Sequence, residues 1–142
     1  MVDRLENKVA LIVGAGSVGP GWGNGKACAV LFAREGAKVF AVDINAEAGE
    51  ETRSIIEEEG GVCSAYQADA VKSKDVIDMV AACVNEYGGI DVLHNNVGGS
   101  VPGGVVDMSE EVWDANIDLN LKSAFLCCKS AVPAMLDGGG GS

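Results

Sequence analysis

The chain has 142 residues, 48% of them hydrophobic, which is enough for one packed core and small for two. Its formal net charge of -11 repels phosphate backbones and anionic headgroups, so nucleic acid and membrane surfaces are excluded as expected partners. No apolar run approaches the roughly 20 residues of a membrane span, and Met1, Val2, Asp3 and Arg4 form no signal-peptide core; a cytoplasmic protein is expected.

Lys8 to Val13 is a short apolar, β-branched run that ends directly in glycines, the pattern of a buried strand. From Gly25 to Gly36 the helical spacing of Ala27, Val30, Leu31 and Phe32 predicts a helix with those residues inward, and Lys38 to Val42 predicts a second strand. Asn45 is placed to cap a Glu-rich helix that stops at Gly60 and Gly61, and Val62 to Gln67 follows as a third strand. Ser73 opens a helix with Val76, Ile77, Val80, Ala81 and Val84 as its inner face; it stops at Gly88 and Gly89 before a fourth strand, Ile90 to His94. Strands and helices alternating in this way imply βαβ crossovers and therefore an α/β, doubly wound parallel sheet.

Beyond the fourth strand, Ser109 opens a long helical stretch to Met135, expected to bend or divide near Asn116 to Asn120 and again at Pro133. Residues 1–137 then form one partial domain, and 138–142, four glycines and a serine, read either as a natural turn before a fifth strand or as a flexible linker. Trp113 and the Phe125–Leu126 face are core or interface material. Cys28, Cys63, Cys83, Cys127 and Cys128 contain no CxxC pair and His94 is the one histidine, so no metal site is expected and the thiols are read as reduced gap-fillers.

Chemistry concentrates in the loop Gly14 to Gly25, between the first strand and the first helix. Glycines there accept positive φ and let backbone N–H groups approach a pyrophosphate, while the helix presents its positive N-terminal end to that charge. Trp22 inside this loop is expected to cover the pyrophosphate or shield a substrate entrance. Asp43 ends the second strand where a ribose-binding acid is expected, and neither Ile44 nor Asn45 supplies a positive charge for a 2′-phosphate, so NAD is favoured over NADP. Arg34 and Lys38 are near enough in sequence to leave an approach to a phosphate open.

These residues resemble the short-chain dehydrogenase/reductase (SDR) family, whose members bind NAD(P) on a Rossmann fold and interconvert alcohols and carbonyls. The family's TGxxxGxG loop looks like Gly14, Gly23 and Gly25, with Ser17 and Asn24 between them, Val13 in place of threonine and an insertion from Val18 to Trp22. Asp69, with Ala70 beside it, matches the family's adenine-contacting acid; Asn95, Asn96, Val97 and Gly98 are similar to its NNAG; Asn120 looks like its catalytic-tetrad asparagine. The resemblance implies cofactor contacts by Gly14, Ser17, Gly23, Asn24, Gly25, Asp43, Ile44, Asp69, Ala70, Asn96, Val97 and Gly98, and a catalytic role for Asn120.

Apart from the family, Asn95 and Asn96 can tie strand-end backbone groups together, Gly98 admits close approach, and Asn120 can fix a water or a carbonyl. The family's serine and YxxxK pair are not found: neither Tyr66 nor Tyr87 is followed by lysine four residues on. The expectation is therefore the N-terminal cofactor-binding portion of an SDR-like oxidoreductase, inactive alone, acting in the complete protein on a small-molecule alcohol or carbonyl. A non-catalytic nucleotide-binding half-unit and a self-associating module are the alternatives; as a truncated unit it is expected to form a homo-oligomer or aggregate. His94 is read as a packed strand residue and not as an acid/base.

Overall fold

Four parallel strands, β1 (Val9–Val13), β2 (Lys38–Asp43), β3 (Val62–Gln67) and β4 (Val92–Asn95), form one sheet in the order β3-β2-β1-β4 in the computed structural model, which describes residues 4–142. Met1, Val2 and Asp3, read above for a signal peptide, lie outside the described residues. Every residue of β1 is buried because the strand is central and covered on both faces, which explains its continuous apolar run. Ala10 and Ile12 face one core with Ala29 and Val30 of helix α1 (Asn24–Arg34) and Ile56 of α2 (Ala46–Glu58). Leu11 and Val13 face the other, with Val76, Met79 and Cys83 of α3 (Ser73–Tyr87) and Leu126, Cys127 and Ala131 of α5 (Ser123–Asp137).

The fold is the expected Rossmann-like α/β sheet, and several details differ from the sequence pattern. β4 starts at Val92 because Ile90 plugs the core and the Asp91 carboxylate accepts from the Val9 N–H at 2.8 Å and from Lys8 Nζ at 3.2 Å, ahead of the ladder. The inner face of α1 is Gly25, Lys26, Ala29 and Val30, leaving Ala27 and Leu31 exposed. The buried stripe therefore lies one step round the helix from the Ala27–Leu31 face, and it includes a lysine, a residue not ordinarily inside. In α3 the stripe is Val76, Met79, Val80 and Cys83, and Ile77 and Ala81 point outward.

Ser109 caps α4 (Glu110–Ile117), its Oγ accepting from the Val112 N–H at 3.4 Å, and a π-helical turn, Asp118–Lys122, separates α4 from α5. The division near Asn120 is thus present, but Pro133 does not divide α5, which runs through it to Asp137. Pro133 and Lys129, the residue whose carbonyl would have accepted the missing N–H, are both exposed, so the lost bond falls on the solvent side of the helix where it costs least. Gly139 and Gly140 adopt φ of 98° and 117°, turning the chain so that the Ser142 N–H donates to Asp91 O and the Leu93 N–H to Ser142 O, both at 2.9 Å.

Cys63, Cys83 and Cys127 are buried, whereas Cys28 is half-buried and Cys128 exposed, so the gap-filling reading fails at Cys128. Burial pushes the Cys63 and Cys83 thiols up to about 12 and that of Cys127 to about 11. Only thiolate reacts. A disulfide reagent at pH 8 should therefore modify Cys128 quickly and Cys28 more slowly, leaving the other three for denaturant to release; rapid reaction of all five cysteines would contradict this packing.

Candidate functional site

The strand order reverses between β1 and β4, and in open α/β sheets a crevice forms beyond the carboxyl ends of the strands at that switch point. Gly14, with φ of 84°, turns the chain off β1 so that its own N–H and that of Ala15 both donate to Val42 O, at 2.8 and 2.9 Å. The next helix then returns very close to the strand end. A Cβ on Gly25 would lie 1.8 Å from Gly14 O, and one on Gly14 would lie 3.1 Å from the Val97 nitrogen. Asn96 completes the junction, its Nδ2 donating to Gly14 O at 3.1 Å.

A cleft of about 920 Å³ results, at the upper end of the roughly 300–1,000 Å³ usual for small-molecule and cofactor sites. The first loop contributes Gly14, Ser17, Gly23 and Asn24 to its lining; Asp43 and Ile44 follow β2, Asp69 and Ala70 follow β3, and Asn96, Val97 and Gly98 follow β4. Gly25 and Asn120 do not line it. Gly25 is buried behind the loop, and Asn120 lies one layer back in the π turn.

Asp43 is already part of the loop's scaffold: Oδ2 accepts from the Gly16 N–H at 2.8 Å and Oδ1 from the Asn45 N–H at 3.0 Å. A carboxylate offers about four lone-pair positions, so each oxygen keeps capacity for a hydroxyl donor. Asp69 holds the turn after β3, accepting from the Val71 N–H at 3.2 Å and pairing with Lys72 at 3.2 Å. Asn120 clamps the loop after β4 from both sides, donating to Gly99 O at 2.7 Å and accepting from the Gly99 N–H at 3.1 Å. It fixes a backbone carbonyl, one of the two tasks its sequence position suggested.

Several features were not visible in the sequence pattern. Asn116, four residues before Asn120, accepts from the Val101 N–H at 3.0 Å and donates to Val101 O at 3.5 Å, a second clamp on the same loop. The i,i+4 spacing of two asparagines was the available signal. Gly16 passes so close to α2 that a Cβ would lie 2.6 Å from that of Ala48. Glu47 and Glu51 line the cleft from the first turns of α2, joining Asp43 and Asp69 to give it an acidic wall. In a Glu-rich helix they read only as a solvated face.

Other expectations are corrected. Trp22 does not line the cleft; Val18, Gly19 and Pro20 do, while the Trp22 ring sits 5.5 Å from Lys26 Nζ. Arg34 and Lys38 do not approach it either: Arg34 is bidentate to Glu59, and Lys38 begins the strand that Asp43 ends, about 16 Å away by strand rise. Asn95 donates to Cys128 Sγ at 3.4 Å rather than to backbone. His94 lies on the α1 side of β4, 6.2 Å from the Phe32 ring, and its buried Nε2 has no hydrogen-bond partner among the described residues.

A family model described as short chain dehydrogenase matches residues 8–142. An uncharacterized oxidoreductase of Thermotoga maritima is 40% identical over 138 residues, covering 97% of this chain and 52% of its own length. The chain spans about half the length of the curated relatives it matches. A Burkholderia xenovorans crystal structure assigned as a short-chain dehydrogenase/reductase superposes with a TM-score of 0.94 at 46% identity, over 97% of this chain and 55% of that one. A 7α-hydroxysteroid dehydrogenase complexed with NADH and 7-oxo glycochenodeoxycholic acid superposes with a TM-score of 0.90 at 33% identity, over 99% of this chain and 52% of that one.

Proposed function

The chain belongs to the short-chain dehydrogenase family, and from that premise we propose that it is the NAD-binding portion of an oxidoreductase that interconverts a small-molecule alcohol and a carbonyl. The observation that carries this reading is the convergence of four strand-end loops on one cleft, with Asp43 rigidly held at the end of β2. A nicotinamide cofactor supplies the hydride acceptor or donor when bound. The chain's own residues bind and orient it.

Gly14, Ser17, Gly23 and Asn24, at the positive end of α1, would hold the pyrophosphate, with Gly25 behind them allowing the helix to come close. Asp43 and Ile44 would hold the adenosine ribose, Asp69 and Ala70 the adenine, and Asn96, Val97 and Gly98 the nicotinamide ribose. Asn120 would act as the family's asparagine by fixing the Gly99 carbonyl. Asp43, Glu47 and Glu51 on one wall repel a 2′-phosphate, which supports NAD over NADP. With no YxxxK pair among these 142 residues, proton transfer falls to residues beyond them, and no turnover is expected from this chain alone.

A cytoplasmic location and a homo-oligomer complete the proposal. Exposed Trp113, Leu121 and Phe125 support the second. Among the described residues no helix is long and apolar enough to cross a membrane. Calorimetric titration tests the cofactor assignment: NADH should bind saturably, with NADPH at least about tenfold weaker, as expected from at least one unfavourable like-charge contact. No saturable heat at millimolar NADH would overturn it.

A further inference from the structure

Lys26 is 2% exposed on the first turn of α1, and its ammonium meets three groups on two other elements. Nζ donates to Gly21 O of the Val18–Trp22 insertion at 3.2 Å and to Glu51 Oε1 of α2 at 2.7 Å, and the Trp22 ring centroid lies 5.5 Å away. Burying a lysine is costly unless the charge is paired and its donors are used, so this arrangement fixes the groups around it. The loop is also tied at its other end, where the Gly23 N–H donates to Ser17 Oγ at 2.7 Å.

Between those two ties lie Val18, Gly19 and Pro20, which line the cleft beside Asp43 and Glu51, while Gly21 and Trp22 do not. Val18 is fully exposed and a Cβ on Gly19 would meet nothing within 4 Å, so the segment has no packing of its own to hold it in place. Its position therefore depends on the ties.

We propose that Lys26 is the positioning residue of the inserted loop: through Gly21 O, Glu51 and Trp22 it holds Val18–Pro20 as a fixed wall on the adenosine side of the cleft. The proposal rests on the dinucleotide reading above and adds to it a residue whose role is to preorganise that wall. A loop already held loses less freedom on binding, so the effect falls on affinity and mainly on dissociation. The nicotinamide half of the cleft, bounded by Asn96 and Gly98, is untouched.

The test uses the protein with Trp113→Phe, leaving Trp22 as the only tryptophan reporter. Lys26→Met keeps the buried stem and removes the charge and donors; Lys26→Arg restores a cation. Gly21→Ala reaches the loop independently, since its φ of 110° disfavours a side chain although a Cβ there would meet nothing within 4 Å. Lys26→Met and Gly21→Ala should each weaken NADH and ADP-ribose equally, by about tenfold, with Lys26→Arg recovering most of the loss. Trp22 emission should shift in Lys26→Met.

Unchanged affinity in Lys26→Met, whatever Gly21→Ala does, beside a parent that binds NADH, would overturn the clasp and leave the functional reading standing. A parent that binds neither NADH nor ADP-ribose would overturn both. A loss confined to NADH would also overturn the clasp, because it would place the effect at the nicotinamide end.

Discussion

Gly25→Ala should strongly destabilise the native protein, because the added Cβ would lie 1.8 Å from Gly14 O, 2.6 Å from Asn96 Nδ2 and 2.9 Å from the Gly14 carbonyl carbon. None of these atoms can yield cheaply. The Gly14 carbonyl belongs to the turn leaving β1, whose N–H groups are committed to Val42 O, and its oxygen already accepts from Asn96. Relief requires α1 to move away from the sheet, and Ala29 and Val30, both fully buried, would move with it. Overpacking a well-filled core costs about 1–3 kcal/mol, and a clash with fixed backbone lies at or beyond the top of that range. Against a total stability of about 5–15 kcal/mol, a thermal midpoint lowered by roughly 10 °C or more is expected, with dinucleotide binding lost. Melting by circular dichroism checks it; a variant that melts within a degree or two of the parent would show that α1 does not approach β1 as described.

Asp43→Ala should leave a folded protein that has lost most of its affinity for NADH. Removal strips the partner from the Gly16 and Asn45 N–H groups, loosening the loop at one end and the start of α2 at the other. In the proposed complex it also removes the acceptor for the ribose hydroxyls. Hydrogen bonds to a charged group are worth about 1.5–3 kcal/mol each, so a 30- to 100-fold weaker complex is expected, while NADPH, freed from a neighbouring carboxylate, should lose far less. Asp43→Asn should fall between the two, keeping an acceptor but not the charge. Titration of all three proteins with both cofactors decides the matter; an Asp43→Ala protein that keeps its affinity for NADH would remove Asp43 from the ribose site.

The features most legible in the sequence were those where burial and chain breakers coincide. β3 has its expected bounds, and α2 has its expected cap, because Asn45 and the Gly60–Gly61 stop are local signals that nothing distant overrides. Asp43 and Asn96 were legible as strand-end polar residues. What escaped depended on contacts between distant elements. Lys26 reads as a surface residue until Glu51 and the inserted loop are brought to it, and with Lys26 outside, the α1 stripe was placed on Ala27 and Leu31. Trp22 turns to Lys26 and not to the cleft, and no local signal in the sequence directs its ring toward a lysine four residues on. Pro133, expected to bend or divide the helix, does not divide α5, because its cost falls on the exposed side.

The π turn at Asp118–Lys122 has a consequence for how the chain tolerates change in length. Such a turn holds about one residue more than an α-helical turn, and each residue advances an α-helix by about 100°. The extra residue therefore resets the angular phase between α4, which buries nothing, and α5, which buries Ser123, Leu126, Cys127, Ala131 and Met135. Asn116 and Asn120 can face the Gly99–Val101 loop while the α5 residues face the sheet, two directions that one uninterrupted helix would couple. Substitutions on either side leave this offset intact. A single-residue deletion between Asn120 and Ser123 would cancel it, so that either the asparagine clamps or the α5 side of the core, but not both, could keep its partners.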